Sequence, residues 1–167
     1  MSSFQEIAET EHAESQARQR AFQAKREAAL RTAKRAFDAD VALLTGKILP
    51  LLMEAGEACS AVGAPPHVRD NFSIDMTLLG APPAILEFWC AGPIRRSAKG
   101  PAMVEPKSAT IELRSYRGVL TIGGDGYERA ETIGDDPKPA MEAALAAVLR
   151  TYFIDLEASA PMAEVSG

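Results

Sequence analysis

Cysteine is scarce in this 167-residue chain, which carries only Cys59 and Cys90. Two cysteines cannot build a disulfide framework, and these two lack the paired spacing of a metal site. They read as reduced, buried thiols. Aromatic residues make up 6% of the chain, with a single tryptophan, so the stacked platform of an RNA-reading sheet is not expected. Histidine occurs only at His12 and His67, neither with a Cys, Asp or Glu at ligand or triad spacing. Nucleophilic catalysis needs a base and a third group to orient it, and the sequence supplies no such set. No window approaches ~18 uncharged apolar residues, so no bilayer span is expected. The polar, acidic first residues lack the basic and apolar regions of a secretory signal, and the expected location is cytoplasmic.

Glycine and proline are also missing from the first 45 residues. From Phe4 to about Val62, Ala, Glu, Gln, Arg and Lys dominate, and the pattern is helical. Leu30, Ala33, Phe37, Val41, Leu44, Ile48, Leu51 and Ala55 recur at three- and four-residue steps, a coiled-coil-like seam with one stutter. Glu14–Arg18 and Glu27–Arg31 are favourable i,i+4 pairs. Before Phe22 the seam fades, and the first turns are expected to fray. Pro50 lacks a backbone donor and its ring crowds the Gly46 carbonyl, so a kink or break is expected near Gly46–Pro50. Unbroken, such a helix would reach ~85 Å, far beyond the width of a 100-residue globule.

Gly63-Ala64-Pro65-Pro66 ends the helical region, and the period then changes. Asn71 to Leu78 alternates, with Phe72, Ile74, Met76 and Leu78 on one face, and reads as a strand. Ala84–Ala91 reads as a central strand, apolar on both faces apart from Glu87. The segment 92–107 reads as a long loop without regular structure, broken by Gly92-Pro93, Gly100-Pro101 and Pro106. Ala109–Tyr116 and Val119–Ile122 flank a tight Arg117-Gly118 turn, and Tyr127–Ile133 reads as a charged edge strand. Asp136 and Pro137 start a final helix, whose apolar face runs from Met141 to Leu156. The expected fold is therefore α+β: a long helix, an antiparallel meander of about five strands, and a C-terminal helix packed on one face of the sheet. The corresponding division is a helical extension over 1–62, a domain over 63–157 and a disordered tail over 158–167.

A net charge of −5 conceals two positive islands. Residues 1–17 carry four acids and no base, whereas 18–35 carry seven bases against Glu27. Arg20, Arg31, Lys34 and Arg35 gather opposite the seam, and Arg95, Arg96 and Lys99 form a second basic patch in the 92–107 segment. These are candidate anion- or partner-binding residues. They equally suit a solvated face, or pairing with the acidic 1–17 segment of a neighbouring chain. Asp135-Asp136 is better placed as a cap at a helix dipole than as a catalytic pair. Gly123–Gly126 is followed by a strand, so it reads as a hairpin loop and not as a phosphate site.

The order of elements resembles two architectures. One is that of bacterial nucleoid-associated proteins with a helix–meander–helix fold, which form tweezer-like dimers. The other is that of stator-type proteins of rotary and secretion ATPases, with an Ala/Glu/Gln/Arg-rich helix before an α+β head. No motif is specific to either. The function expected from the sequence is a non-catalytic structural or adaptor protein without cofactor or metal. It would self-associate, first as a dimer, through Leu30, Phe37, Val41, Leu44, Ile48 and Leu51 or through the open sheet face, and bind a protein partner. The alternative is non-sequence-specific nucleic-acid binding by helix 18–35 and loop 92–107. An enzyme with a scattered site is a third class without positive support.

Overall fold

The computed structural model describes residues 3–75, 80–91, 95–96, 103–104, 109–124 and 131–159. Helix α1 runs unbroken from Ser3 to Lys47, so its first turns are helical where fraying was expected. Ile48 alone separates it from α2, Leu49–Ala61. Ile48 N–H donates to the Leu44 carbonyl (2.9 Å) and Leu52 N–H to the Ile48 carbonyl (3.0 Å). The ladder therefore resumes within one turn of Pro50, which removes a donor without reversing the chain. At the other end of α2, Gly63 takes a left-handed φ of 77°. Ala64 N–H then reaches back to the Cys59 carbonyl (2.9 Å), closing the helix in the way that favours glycine.

Strands β1 (Pro66–Asp70), β2 (Ala84–Cys90), β5 (Thr110–Tyr116), β6 (Val119–Gly124) and β7 (Glu131–Thr132) form one antiparallel sheet in the order β1-β2-β5-β6-β7. Helix α3, Lys138–Ser159, completes the fold, which is α+β as the sequence implies. The first strand is displaced from its expected place. Asp70 Oδ1 accepts from Phe72 N–H (2.9 Å), a local turn that ends β1. Asn71 then bridges to the next strand, accepting from Ile85 N–H (2.8 Å) and donating to the Pro83 carbonyl (2.9 Å). The alternating run from Asn71 is thus turn through Asp75, and residues 76–79 lie outside the described part. The 92–107 segment is not wholly irregular either. β3 (Arg95–Arg96) and β4 (Met103–Val104) pair as a small separate hairpin. Of the strand expected over Tyr127–Ile133, the described part is β7, and α3 extends two residues past the expected start of the tail.

One sheet face holds the core. Ala84, Leu86, Phe88 and Cys90 of β2, Ile111 and Leu113 of β5, and Leu120 and Ile122 of β6 are buried. Against them lie Phe37 and Leu44 of α1, Leu52 and Cys59 of α2, and Met141, Ala144, Val148 and Tyr152 of α3. This single cluster has members on both sides of the division expected at residue 62, and α1 from Phe37 onward packs with the sheet. The Tyr152 hydroxyl donates to the Gly63 carbonyl (3.2 Å), tying α3 to the end of α2.

A buried carboxylate fixes α1 on the sheet. Asp40 is 2% exposed. Its Oδ1 accepts from Ser115 Oγ (2.7 Å) and Gly118 N–H (2.8 Å), and its Oδ2 from Arg117 N–H (2.9 Å). Arg117 and Gly118 have φ of 51° and 79°, the two positive values of a tight hairpin turn. Arginine takes that conformation at a cost of roughly 1 kcal/mol, and the carboxylate binding both amides offsets it. Asp40→Ala is expected to destabilise the protein by about 3 kcal/mol, since it strands several donors of one charged acceptor, while Asp40→Asn costs less. Urea unfolding checks both. Equal stability of wild type and Asp40→Ala would show that the turn closes without this tie.

Candidate interaction surfaces

The seam faces inward. Phe37, Leu44 and Ile48 are 3%, 0% and 0% exposed, packed against the chain's own sheet. Val41 and Leu51 are half-buried against the same core, and Leu30 is half-buried. These six residues therefore do not present a free stripe to a second copy. The reason is physical: periodicity reports that a helix face is apolar, not which apolar surface covers it. Phe37→Asp in this fold would break the core.

The first part of α1 behaves differently. From Ser3 to Ala29 every residue except half-buried Ser15 is exposed, and the first buried residue is Ala33. That stretch is about 40 Å long and has no support from the sheet. Its polar side chains bond along the helix: Gln5 to Glu9 (3.3 Å), His12 with Gln16 (2.8 Å), Arg18 to Glu14 (3.4 Å). Phe4, Ile7 and Phe22 project from it, exposed.

Of the basic candidates, Arg20, Arg31, Lys34 and Arg35 are exposed on α1. Arg31 lies 3.8 Å from Glu27. Arg95 and Arg96 sit on β3, opposite Val104 and Met103, and Lys99 lies outside the described residues. The two basic islands are thus on separate elements, one on the helix and one on the small hairpin.

The outward face of the sheet carries a group of residues that the sequence reading did not single out. His67 lies on β1 and stacks on Trp89 with ring centroids 5.4 Å apart. The Arg69 guanidinium is 6.0 Å from the Trp89 ring and 2.5 Å from Glu87, whose bond holds it more firmly protonated. Glu87 stands directly opposite Glu112 in the β2–β5 register, and Glu112 pairs with Arg114. The two like charges are each paired with an arginine, Glu87 with Arg69 on the neighbouring β1 and Glu112 with Arg114 two residues along its own strand. Near the β5–β6 turn, Arg117 lies 5.1 Å from the Tyr116 ring, and a shallow depression opens between Pro83, Arg114, Tyr116 and Thr121. The signal that could have found this face is the alternate set in β2 and β5: Ile85, Glu87, Trp89 and Thr110, Glu112, Arg114, Tyr116.

Cys59 and Cys90 meet inside the core, their thiols hydrogen-bonded across α2 and β2. Burial raises the pKa of Cys59. Burial, the bond to Cys59 and its charge push Cys90 up to about 12. Asp136 Oδ1 accepts from Lys138 N–H (3.1 Å), the cap expected at the start of α3. Among the described residues no three His, Cys, Asp or Glu side chains stand close enough to hold a metal ion, and no helix is long and apolar enough to cross a membrane. No protein-family model, curated protein or solved structure matches the chain.

The thiol environment has a direct consequence. At pH 8 neither cysteine is expected to react with a thiol reagent until the protein unfolds, after which both react. Unfolded Cys90 ionises near its ordinary value of 9 and folded Cys90 near 12. Its contribution to stability is therefore full below pH 9 and is lost as pH rises toward 12. Rapid labelling of the native protein at pH 8, read by mass spectrometry, would contradict the buried pair.

Proposed function

We propose that this chain is a non-catalytic structural or adaptor protein that self-associates, first as a dimer, and holds a protein partner in a larger assembly. The observation that carries the reading is the half-free helix. A compact head fixes one end of α1, while the other ~40 Å is displayed with Phe4, Ile7 and Phe22 at 81%, 60% and 67% exposed. Three large apolar side chains on an otherwise polar, unsupported helix are what an interaction element needs. No tertiary packing supports this stretch, so a partner that covers its apolar side chains also stabilises it. The open face around Trp89, with alternating Arg and Glu, is a second surface for the protein partner. The composition and the two reduced thiols favour a cytoplasmic setting.

A second reading has its own observation. Arg20, Arg31, Lys34 and Arg35 are exposed on α1, and a row of cations can neutralise a nucleic-acid backbone. It predicts binding to duplex DNA or RNA that weakens steeply with salt and is lost on Arg31/Lys34/Arg35→Glu.

Sedimentation equilibrium across a range of concentrations separates the two. The assembly reading expects a mass at a multiple of 17.8 kDa without nucleic acid. A monomer at every concentration, together with a salt-sensitive gel shift, would favour the second reading and remove the first.

A further inference from the structure

We propose that two copies of this chain pair through the free part of α1, antiparallel, about a two-fold axis between Glu14 and Ser15. The inference rests on the self-association reading and names the surface and register that the reading leaves open. At 100° per residue, Phe4, Ile7, Glu11, Arg18, Phe22 and Lys25 fall within about 60° of one another, forming one stripe. All three exposed large apolar residues of the arm belong to it. The stripe ends at Lys25, well before Ala33, where the helix becomes buried on its own sheet, so a second helix can lie along it without meeting the head.

The charges along the stripe choose the direction. In a parallel, in-register pair, Glu11, Arg18 and Lys25 would each face the same residue of the other copy, stacking like charges in three layers of the stripe. Reversing one copy about the Glu14–Ser15 midpoint changes every layer. Ile7 of one copy then meets Phe22 of the other, twice by symmetry, and Glu11 of each meets Arg18 of the other. Phe4 meets Lys25, whose methylene stem covers the ring while its ammonium stays in water. The two Glu14 side chains come together beside the axis, and each is already 3.4 Å from Arg18 of its own helix, which offsets its charge. The acid-only segment 1–17 and the base-rich segment 18–35 are thus laid side by side, which an in-register parallel pair does not achieve. The two heads stand at opposite ends, with their Ala33 positions about 55 Å apart along the axis.

Apart from half-buried Ser15 the arm side chains are exposed, so substitutions there leave the head intact, and circular dichroism with thermal melting confirms it. Dimerisation of the full chain is followed by sedimentation, and register by oxidative cross-linking, with Cys59 and Cys90 buried as a silent background. Ser15→Cys should cross-link to itself. Ile7→Cys alone should not, because its two copies stand about 22 Å apart, but a mixture of Ile7→Cys and Phe22→Cys should. Phe22→Ser is expected to weaken the dimer at least tenfold, and so is Glu11→Arg. Adding Arg18→Glu to Glu11→Arg should recover most of the loss. Efficient self-linking of Ile7→Cys would overturn the antiparallel register. A dimer indifferent to Phe22→Ser and Glu11→Arg would overturn the arm surface while leaving self-association standing. A wild type that is monomeric at all concentrations would overturn both.

Discussion

The Asp40 carboxylate is the contact on which the placement of α1 depends. Hydrophobic packing alone would let a helix with a broad apolar face roll or slide on the sheet at modest cost, because such contacts are non-directional. Three hydrogen bonds to Ser115, Arg117 and Gly118 do not permit that. A slip of one residue moves the acceptor ~1.5 Å and turns it ~100°, away from all three donors. Asp40 therefore sets which stripe of α1 enters the core and, because the helix is continuous, which stripe of the free part points away from it. The same bonds stabilise an unusual Arg-Gly turn, so the helix and the β5–β6 hairpin each support the other's geometry.

On the N-terminal side of Ala33 the balance changes. The helix has lost the sheet, and what remains are i,i+4 pairs worth only ~0.3–0.5 kcal/mol each when exposed. Alanine-rich composition sustains helicity in that stretch but buries nothing. Phe4, Ile7 and Phe22 are then out of place in a monomer, since full burial of one such side chain is worth roughly 1.5–3 kcal/mol. One covalent helix thus serves two unequal purposes: as a core element from Ala33 to Lys47, and before that as a displayed surface whose stability depends on what covers it.

Much of the fold was legible in the sequence because its signals were local. Pro137 with a capping Asp136 announced α3, Gly63 announced the end of α2, and the Arg117-Gly118 pair marked the tight hairpin. The errors arose where one local signal competed with another. Residues 71–78 alternate as a strand should, but the Asp70 and Asn71 side chains capture backbone groups and turn the chain first. Asp40 was invisible because an acid in a charged helix reads as surface, and its donors lie more than seventy residues away in the sequence. The seam from Leu30 to Leu51 was read correctly as apolar, yet its partner could be its own sheet or another chain, and spacing cannot tell these apart. The basic residues were legible as a charge pattern, whereas the Trp89 face needed the strand register to bring His67, Arg69 and Glu112 beside it.

Hydrogen–deuterium exchange of the intact protein at two concentrations tests the central claim most directly, namely that α1 is a core element at its C-terminal end and a displayed surface before it. Amides from Phe37 to Lys47 should be protected equally in dilute and concentrated samples. Those from Gln5 to Lys25 should exchange rapidly when dilute and become protected as the concentration rises. Equal, concentration-independent protection along the whole helix would contradict the account, and so would rapid exchange across the segment that Asp40 anchors.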